Sequence, residues 1–241
     1  MAKTRLSLEN INKTINDKKI LLDINFNIES AEIVGLLGPN GAGKTSVFYI
    51  AAGIIFPDSG KIKIDDTEVS NLPMHVRSNI GLSYLPQEAS IFQDLTVQEN
   101  LFGIAELKIK DISEREKFID RISSEFNLHE VLKLKGRMLS GGQRRKVEIA
   151  RTLACNPRIL LLDEPFAGID PIAVEEIKEL LSKIVARDIS VLITDHNIRE
   201  TLSLCNRALI ISEGKIIAEG STEELINNSL VQKTYLGNMY S

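Results

Sequence analysis

Cysteine is scarce in this 241-residue chain: only Cys155 and Cys205 occur. Two thiols without metal-type spacing exclude a disulfide framework. They read as reduced, half-buried side chains in a reducing compartment. Long apolar runs are missing too. No stretch approaches the ~18 residues that a membrane span needs. No apolar segment follows Met1-Ala2-Lys3-Thr4-Arg5, so an export signal is not expected. Any membrane association is therefore expected to come through partners. Excess positive charge is absent as well: 29 Lys and Arg stand against 33 Asp and Glu, a net charge of −4. That argues against nucleic acid as a partner, because nucleic acid selects a basic face. The short basic run Arg144-Arg145-Lys146 reads as a solvated helix face. Repeats, low-complexity tracts and Pro/Gly-rich linkers are lacking, so nothing marks a second independent domain.

What is present is ordinary globular material, 43% apolar and 26% charged. Such a length buries a substantial core, as one domain or one domain with a subdomain. Residues 5–11 and 20–28 alternate apolar and polar side chains around the turn pair Asn16-Asp17, which predicts two strands. Residues 33–37 form a short apolar run of the buried-strand kind, followed by a glycine-rich loop and a helix over 44–52. Residues 61–64 and 81–86 read as further strands. From 88 to 157 the period changes to that of helices, which predicts a helical insertion. Strand and helix then alternate again: 158–162, a helix over 171–187 capped by Asp170, 189–194, and a helix from about Asn197. This alternation predicts an α/β fold with a mostly parallel sheet. The expected organisation is one domain over 1–241, its core 1–87 and 158–241, its helical subdomain about 88–157.

Gly38-Pro39-Asn40-Gly41-Ala42-Gly43-Lys44-Thr45 fits G-x-x-x-x-G-K-[ST] between a strand and a helix, the setting of a phosphate-binding loop. Glycines let the backbone N–H groups turn inward, and the helix start adds positive partial charge. Lys44 is expected at the β- and γ-phosphates and Thr45 on Mg²⁺, with Ser46 closing the cradle. The apolar run over 159–162 delivers Asp163 and Glu164 to a strand's carboxyl end, where open α/β sheets bind ligands. Asp163 is the expected Mg²⁺ partner and Glu164 the expected general base toward the attacking water. Leu139-Ser140-Gly141-Gly142-Gln143 opens a helical run over 144–155. It reads as a second helix N-terminus, built to meet a phosphate held elsewhere, and so hints at a dimer with ATP between subunits.

The order of these motifs, with Gln87 after a strand, Gly168-Ile169-Asp170 and His196, resembles the ATPase subunits of ABC transporters over essentially the whole chain. The resemblance implies a phosphate-loop (RecA-like) core with an N-terminal antiparallel β subdomain and a helical insertion. It implies a head-to-tail homodimer holding two ATP molecules. Ser140, Gly142 and Gln143 of one subunit, with Gly141 among them, would then meet the γ-phosphate on the other subunit's Lys44. By the same resemblance Gln87 contacts Mg²⁺ or the lytic water, His196 contacts the γ-phosphate, and Asp170 couples the two ATP sites as well as capping its helix. His75 and His129 read as surface residues.

Within the family, the stretches 84–92, 162–171, 192–202 and Tyr235-Leu236-Gly237 resemble the ATPases that power lipopolysaccharide export. That branch implies two integral-membrane permease subunits docked near 87–95, on the cytoplasmic face of the inner membrane. Phe92 is then either a docking residue of that groove or part of the subdomain core. Rival readings are an importer ATPase of the branched-chain amino-acid type, a non-transport ABC ATPase and a phosphate-loop kinase. The stretches 166–171 and 196–202 disfavour the importer. The acidic charge and lack of a coiled coil disfavour the second rival, and 139–143 with His196 disfavour the kinase. One departure stands out: the family places an aromatic near Ile15 to stack on adenine, yet none occurs before Phe26. An apolar contact from Ile15 and relaxed base selectivity are the expectation.

Overall fold

The alternating N-terminal residues form a long antiparallel hairpin, β1 (Thr4–Ile15) with β2 (Lys18–Glu29). The computed structural model describes residues 3–237, so Met1 and Ala2 of the N-terminal run lie outside the described residues. Asn16 and Asp17 both carry positive φ, 48° and 61°, as a two-residue hairpin turn requires. The strands outrun the expected 5–11 and 20–28 because register shifts interrupt their alternation and hide their ends from a period-two reading. Next come β3 (Ile33–Leu37), α1 (Lys44–Ala52), β4 (Ser59–Ile64), β5 (Thr67–Glu68), α2 (Met74–Ile80) and β6 (Leu82–Leu85). β4 and β5 extend the hairpin into a four-stranded sheet of order β2-β1-β4-β5.

The insertion carries α3 (Val97–Ala105), α4 (Ile112–Glu125) and α5 (Gly141–Leu153). Each starts on a side-chain cap, Thr96, Asp111 and Ser140 respectively. The chain then returns to strand–helix alternation with β7 (Ile159–Asp163), α6 (Pro171–Val185), β8 (Ser190–Thr194), α7 (Ile198–Leu204), β9 (Arg207–Ser212), β10 (Lys215–Gly220) and α8 (Thr222–Asn227). The second sheet has order β10-β9-β3-β8-β7-β6; all its pairs are parallel except β9 with β10. The expected mostly parallel α/β core is therefore present.

Every residue of β3, β7 and β8 is buried, since both faces of the sheet are covered. Successive side chains point to opposite faces, so one strand feeds two cores. Ile159 and Leu161 pack with the hairpin sheet and with Val47 and Phe48 of α1. Leu160 and Leu162 pack with Leu101, Phe118, Val147 and Ile177 on the helical side. Ile91 joins that helical core, whereas Phe92 is 53% exposed.

Arg77 is wholly buried and ties α2 to α1. Its guanidinium donates to Ile50 O at 2.6 Å and Ala51 O at 2.8 Å, satisfying terminal carbonyls of α1. Burial pulls its pKa down to about 10. Among the described residues no helix is long and apolar enough to cross a membrane.

Candidate active site

Four neighbouring strands deliver their carboxyl ends to one edge. β3 leads into the phosphate loop, β6 toward Gln87, β7 to Asp163-Glu164 and β8 to Asp195-His196. Gly43 caps α1 with φ 112°, and a Cβ at Gly38 would stand 2.1 Å from Ile211 O, so both positions need glycine. Lys44 Nζ donates to Gly38 O at 2.7 Å and Pro39 O at 3.0 Å. Burial lowers its pKa, and the charges of Glu164 and Asp163 oppose that shift.

A cavity of about 480 Å³ opens over this loop, lined by Asn40, Gly41, Gly43, Lys44, Thr45 and Ser46, and closed by Gln87, Glu164 and His196. Glu164 holds its backbone at φ 49°, left-handed and strained for a residue with a side chain. Its Oε2 accepts from Gln87 Nε2 at 2.6 Å, and its Oε1 lies 2.7 Å from His196 Nε2. Asp163 is 4% exposed, and its Oδ2 accepts from the Tyr84 hydroxyl at 3.2 Å. Burial raises the Asp163 pKa, while Tyr84, Arg145 and Lys44 oppose the rise. Burial also drives the Tyr84 phenol well above its usual range.

Asp195 links the loops after β7 and β8. Its Oδ2 accepts from Phe166 N at 2.8 Å and its Oδ1 from Asn197 N at 2.9 Å. Burial raises its pKa, against the pull of these bonds and of His196.

The basic run corrects the expectation of a solvated face. Arg145 is 6% exposed and Lys146 is also buried; of the three, Arg144 alone is half-buried. Arg145 donates to Pro86 O, Asp163 O, Glu164 O and Pro165 O, and to the Glu148 carboxylate. Lys146 Nζ pairs with Glu176 at 2.7 Å. A run of charges reads as solvent-facing because nothing local reveals the strand-end carbonyls that α5 packs against.

Ser140 caps α5 in a closed box: its Oγ accepts from Gln143 N at 3.2 Å, and Gln143 Oε1 accepts from Ser140 N at 3.0 Å. A Cβ at Gly142 would stand 2.4 Å from Ala173 Cβ, so this glycine lets α5 meet α6. Ser140, Gly142 and Gln143 do not line the Lys44 cavity; Gly141 lines a small neighbouring hollow with Gln87 and Glu164. Asp170 Oδ1 accepts from Ala173 N at 3.0 Å, the capping bond expected of it. Ile15 lies at the hairpin end, 40% exposed, outside the cavity lining, whereas Lys18 and Ile20 contribute to it. Sequence reasoning missed these two, because only the fold of the hairpin over the phosphate loop brings them there. His75 and His129 are exposed, as expected. Both cysteines are free and half-buried, and burial raises their pKa values. Beside the site, Met74, Tyr84, Ser90, Ile104, Arg151 and Cys155 line a groove, and the Arg151 guanidinium lies 5.0 Å above the Phe92 ring.

Comparison with known proteins shows the family and the fold. The family model described as ABC transporter covers residues 21–167. The chain is 50% identical over 98% of its own length to the Lipopolysaccharide export system ATP-binding protein LptB of Haemophilus influenzae, covering 98% of that protein. It is 47% identical to the protein of the same name from Escherichia coli K12, over 96% of this chain and 97% of that one. Among solved structures, a nucleotide-free ATP-binding cassette from an ABC transporter superposes with a TM-score of 0.89 at 26% identity, covering 97% of this chain and 99% of that chain. A dimeric cassette in a post-hydrolysis state with ADP and Pi superposes with 0.80 at 27% identity, covering 90% and 98%.

Proposed function

The chain belongs to the ABC-transporter ATPase family, and from that membership we propose that it is the ATP-hydrolysing motor of a lipopolysaccharide exporter. The observation that carries the chemistry is the grip on Glu164, one oxygen facing Gln87 and the other His196, above Lys44. Loop N–H groups, the start of α1 and Lys44 hold the phosphates of ATP. A water oxygen attacks the γ-phosphorus, the bond to the β–γ bridging oxygen breaks, and the water's proton passes to Glu164.

Thr45, Gln87 and Asp163 offer a hydroxyl, an amide and a carboxylate, an all-oxygen set that fits Mg²⁺. The Asp163 carboxylate accepts from Tyr84 OH, and burial raises its pKa in spite of the charges of Arg145 and Lys44, so a cation beside it would relieve the desolvation of its charged form. When bound, Mg²⁺ neutralises phosphate charge.

The reading places two chains head to tail, with Ser140, Gly141, Gly142 and Gln143 of one facing ATP on the other and Asp170 between the sites. Two integral-membrane permease subunits dock near 87–95, at the groove beside the exposed Phe92 ring. The chain thereby sits on the cytoplasmic face of the inner membrane, and Ile15 meets the adenine. The deciding experiment is to purify the chain from detergent-solubilised membranes and identify what comes with it. Two permease subunits and a bound glycolipid are expected. Co-purification with an amino-acid permease instead would overturn the lipopolysaccharide assignment while leaving the ATPase intact.

A further inference from the structure

Helix α5 starts at the Ser140 cap and runs alongside the segment that follows Gln87. Arg145, Glu148 and Arg151 stand three residues apart on it and so share one face. They are only 6%, 2% and 9% exposed. Each holds backbone on one side or the other of Gln87. Arg145 Nη1 donates to Pro86 O at 3.0 Å, Glu148 Oε1 accepts from Ser90 N at 2.8 Å, and Arg151 Nη1 donates to Ser90 O at 2.6 Å. The second oxygen of Glu148 accepts from Arg145 Nη1 at 3.1 Å. That same guanidinium reaches Asp163 O at 2.9 Å and Glu164 O at 3.0 Å.

Glu148 is therefore a joint, with one oxygen on the loop behind Gln87 and the other on the clamp around the Glu164 strand end. The loop is tied back a second time. Gly136 N donates to Leu95 O at 2.9 Å and Arg137 N to Gln93 O at 3.0 Å, just ahead of Ser140. From below, Asn100 is wholly buried; its Oδ1 accepts from Phe92 N and its Nδ2 donates to Phe92 O, both at 2.9 Å. A carboxylate enclosed this completely is costly to desolvate, and packing alone is better served by an apolar side chain. What an apolar residue cannot do is accept two directed hydrogen bonds from two separate pieces of the site.

We propose that Glu148 is a positioning residue for ATP hydrolysis: it locks the 88–92 segment to α5, so that Gln87, Glu164 and Ser140 move as one body. This rests on the ATPase reading of the site.

The test is hydrogen–deuterium exchange of the full chain with and without ATP and Mg²⁺, beside steady-state kinetics. In the wild type we expect nucleotide to slow exchange in 36–46 and in 88–95 together. The variants are E148A and the double R145Q/E148A, the second removing both charges in case an unpaired buried guanidinium prevents folding. We expect 36–46 to stay protected, the response of 88–95 to vanish, and kcat to fall about tenfold at unchanged ATP affinity, a loss of the size positional coupling carries. Wild-type protection of 88–95 in a variant that binds ATP overturns the proposal. So does loss of 36–46 protection in both variants, which marks a purely structural role. If ATP leaves 36–46 unprotected in the wild type, the ATPase reading itself falls.

Discussion

His196 Nε2 lies 2.7 Å from Glu164 Oε1, while Gln87 Nε2 holds the other oxygen at 2.6 Å. The two contacts fix the carboxylate from both sides at the mouth of the Lys44 cavity. Replacing Glu164 by Gln keeps the shape and removes the proposed base. We predict unchanged ATP binding, a kcat lower by about 10²–10⁴-fold, and a dimer that persists in ATP during size-exclusion chromatography. Hydrolysis by E164Q at the wild-type rate would remove Glu164 from the role of base.

Gly142 faces Ala173 with no room for a methyl group: a Cβ there would come within 2.4 Å of the alanine Cβ. Gly142→Ala therefore forces the starts of α5 and α6 apart, at about 1–3 kcal/mol of overpacking. Thermal melting should show the loss, and ATPase activity should fall further than melting explains, because the Ser140 cap moves with the helix. A variant with wild-type Tm would show that α6 yields freely.

The Asp195 carboxyl is pushed above its usual range by burial. A folded pKa above the unfolded one means that the charged form is a burden at neutral pH. The burden is fully present above the folded pKa and disappears as pH falls toward the unfolded value, about 3.9. Asn at this position carries no such dependence. Wild type should thus gain Tm relative to Asp195→Asn on acidification from pH 7 through the window just above the ordinary carboxylate range. A difference in Tm that stays flat with pH would contradict the shift.

Ile15 ends β1 at the hairpin tip, 40% exposed, where the proposed function puts the adenine. A stacked ring adds ~1–3 kcal/mol per base. Ile15→Tyr should tighten ATP about tenfold or more, and the wild type should separate ATP from GTP weakly. Titration calorimetry with both nucleotides checks this. Unchanged affinity in the Tyr variant would move the base elsewhere, toward Lys18 or Ile20.

The parts of the candidate site that are legible in the sequence are contiguous: 38–45 and 163–164 each carry their chemistry in neighbouring residues, and 139–143 is equally local as a capped helix start. The turn at Asn16-Asp17 and the caps at Ser140 and Asp170 are equally local. What escapes is tertiary. Arg145 looks like a surface charge until the carbonyls of Asp163, Glu164 and Pro165 are packed against it. Arg77 serves the end of a helix 26–27 residues upstream. The strands β9 and β10 over 207–220 lie beyond the last element predicted above, although the apolar stretch Ala208, Leu209, Ile210 and Ile211 has the buried-strand composition. Ile20 enters the cavity only through the curl of the hairpin.

The left-handed backbone at Glu164, φ 49°, works against the residue found there. Glycine or asparagine adopts that conformation readily, whereas glutamate carries of order 1–3 kcal/mol of strain. In a randomised library screened only for soluble, folded chains, position 164 should drift toward Gly and Asn. Screened for turnover, it should return to Glu. Under the proposed role as base, the glutamate is kept for its chemistry, against the preference of the backbone that carries it.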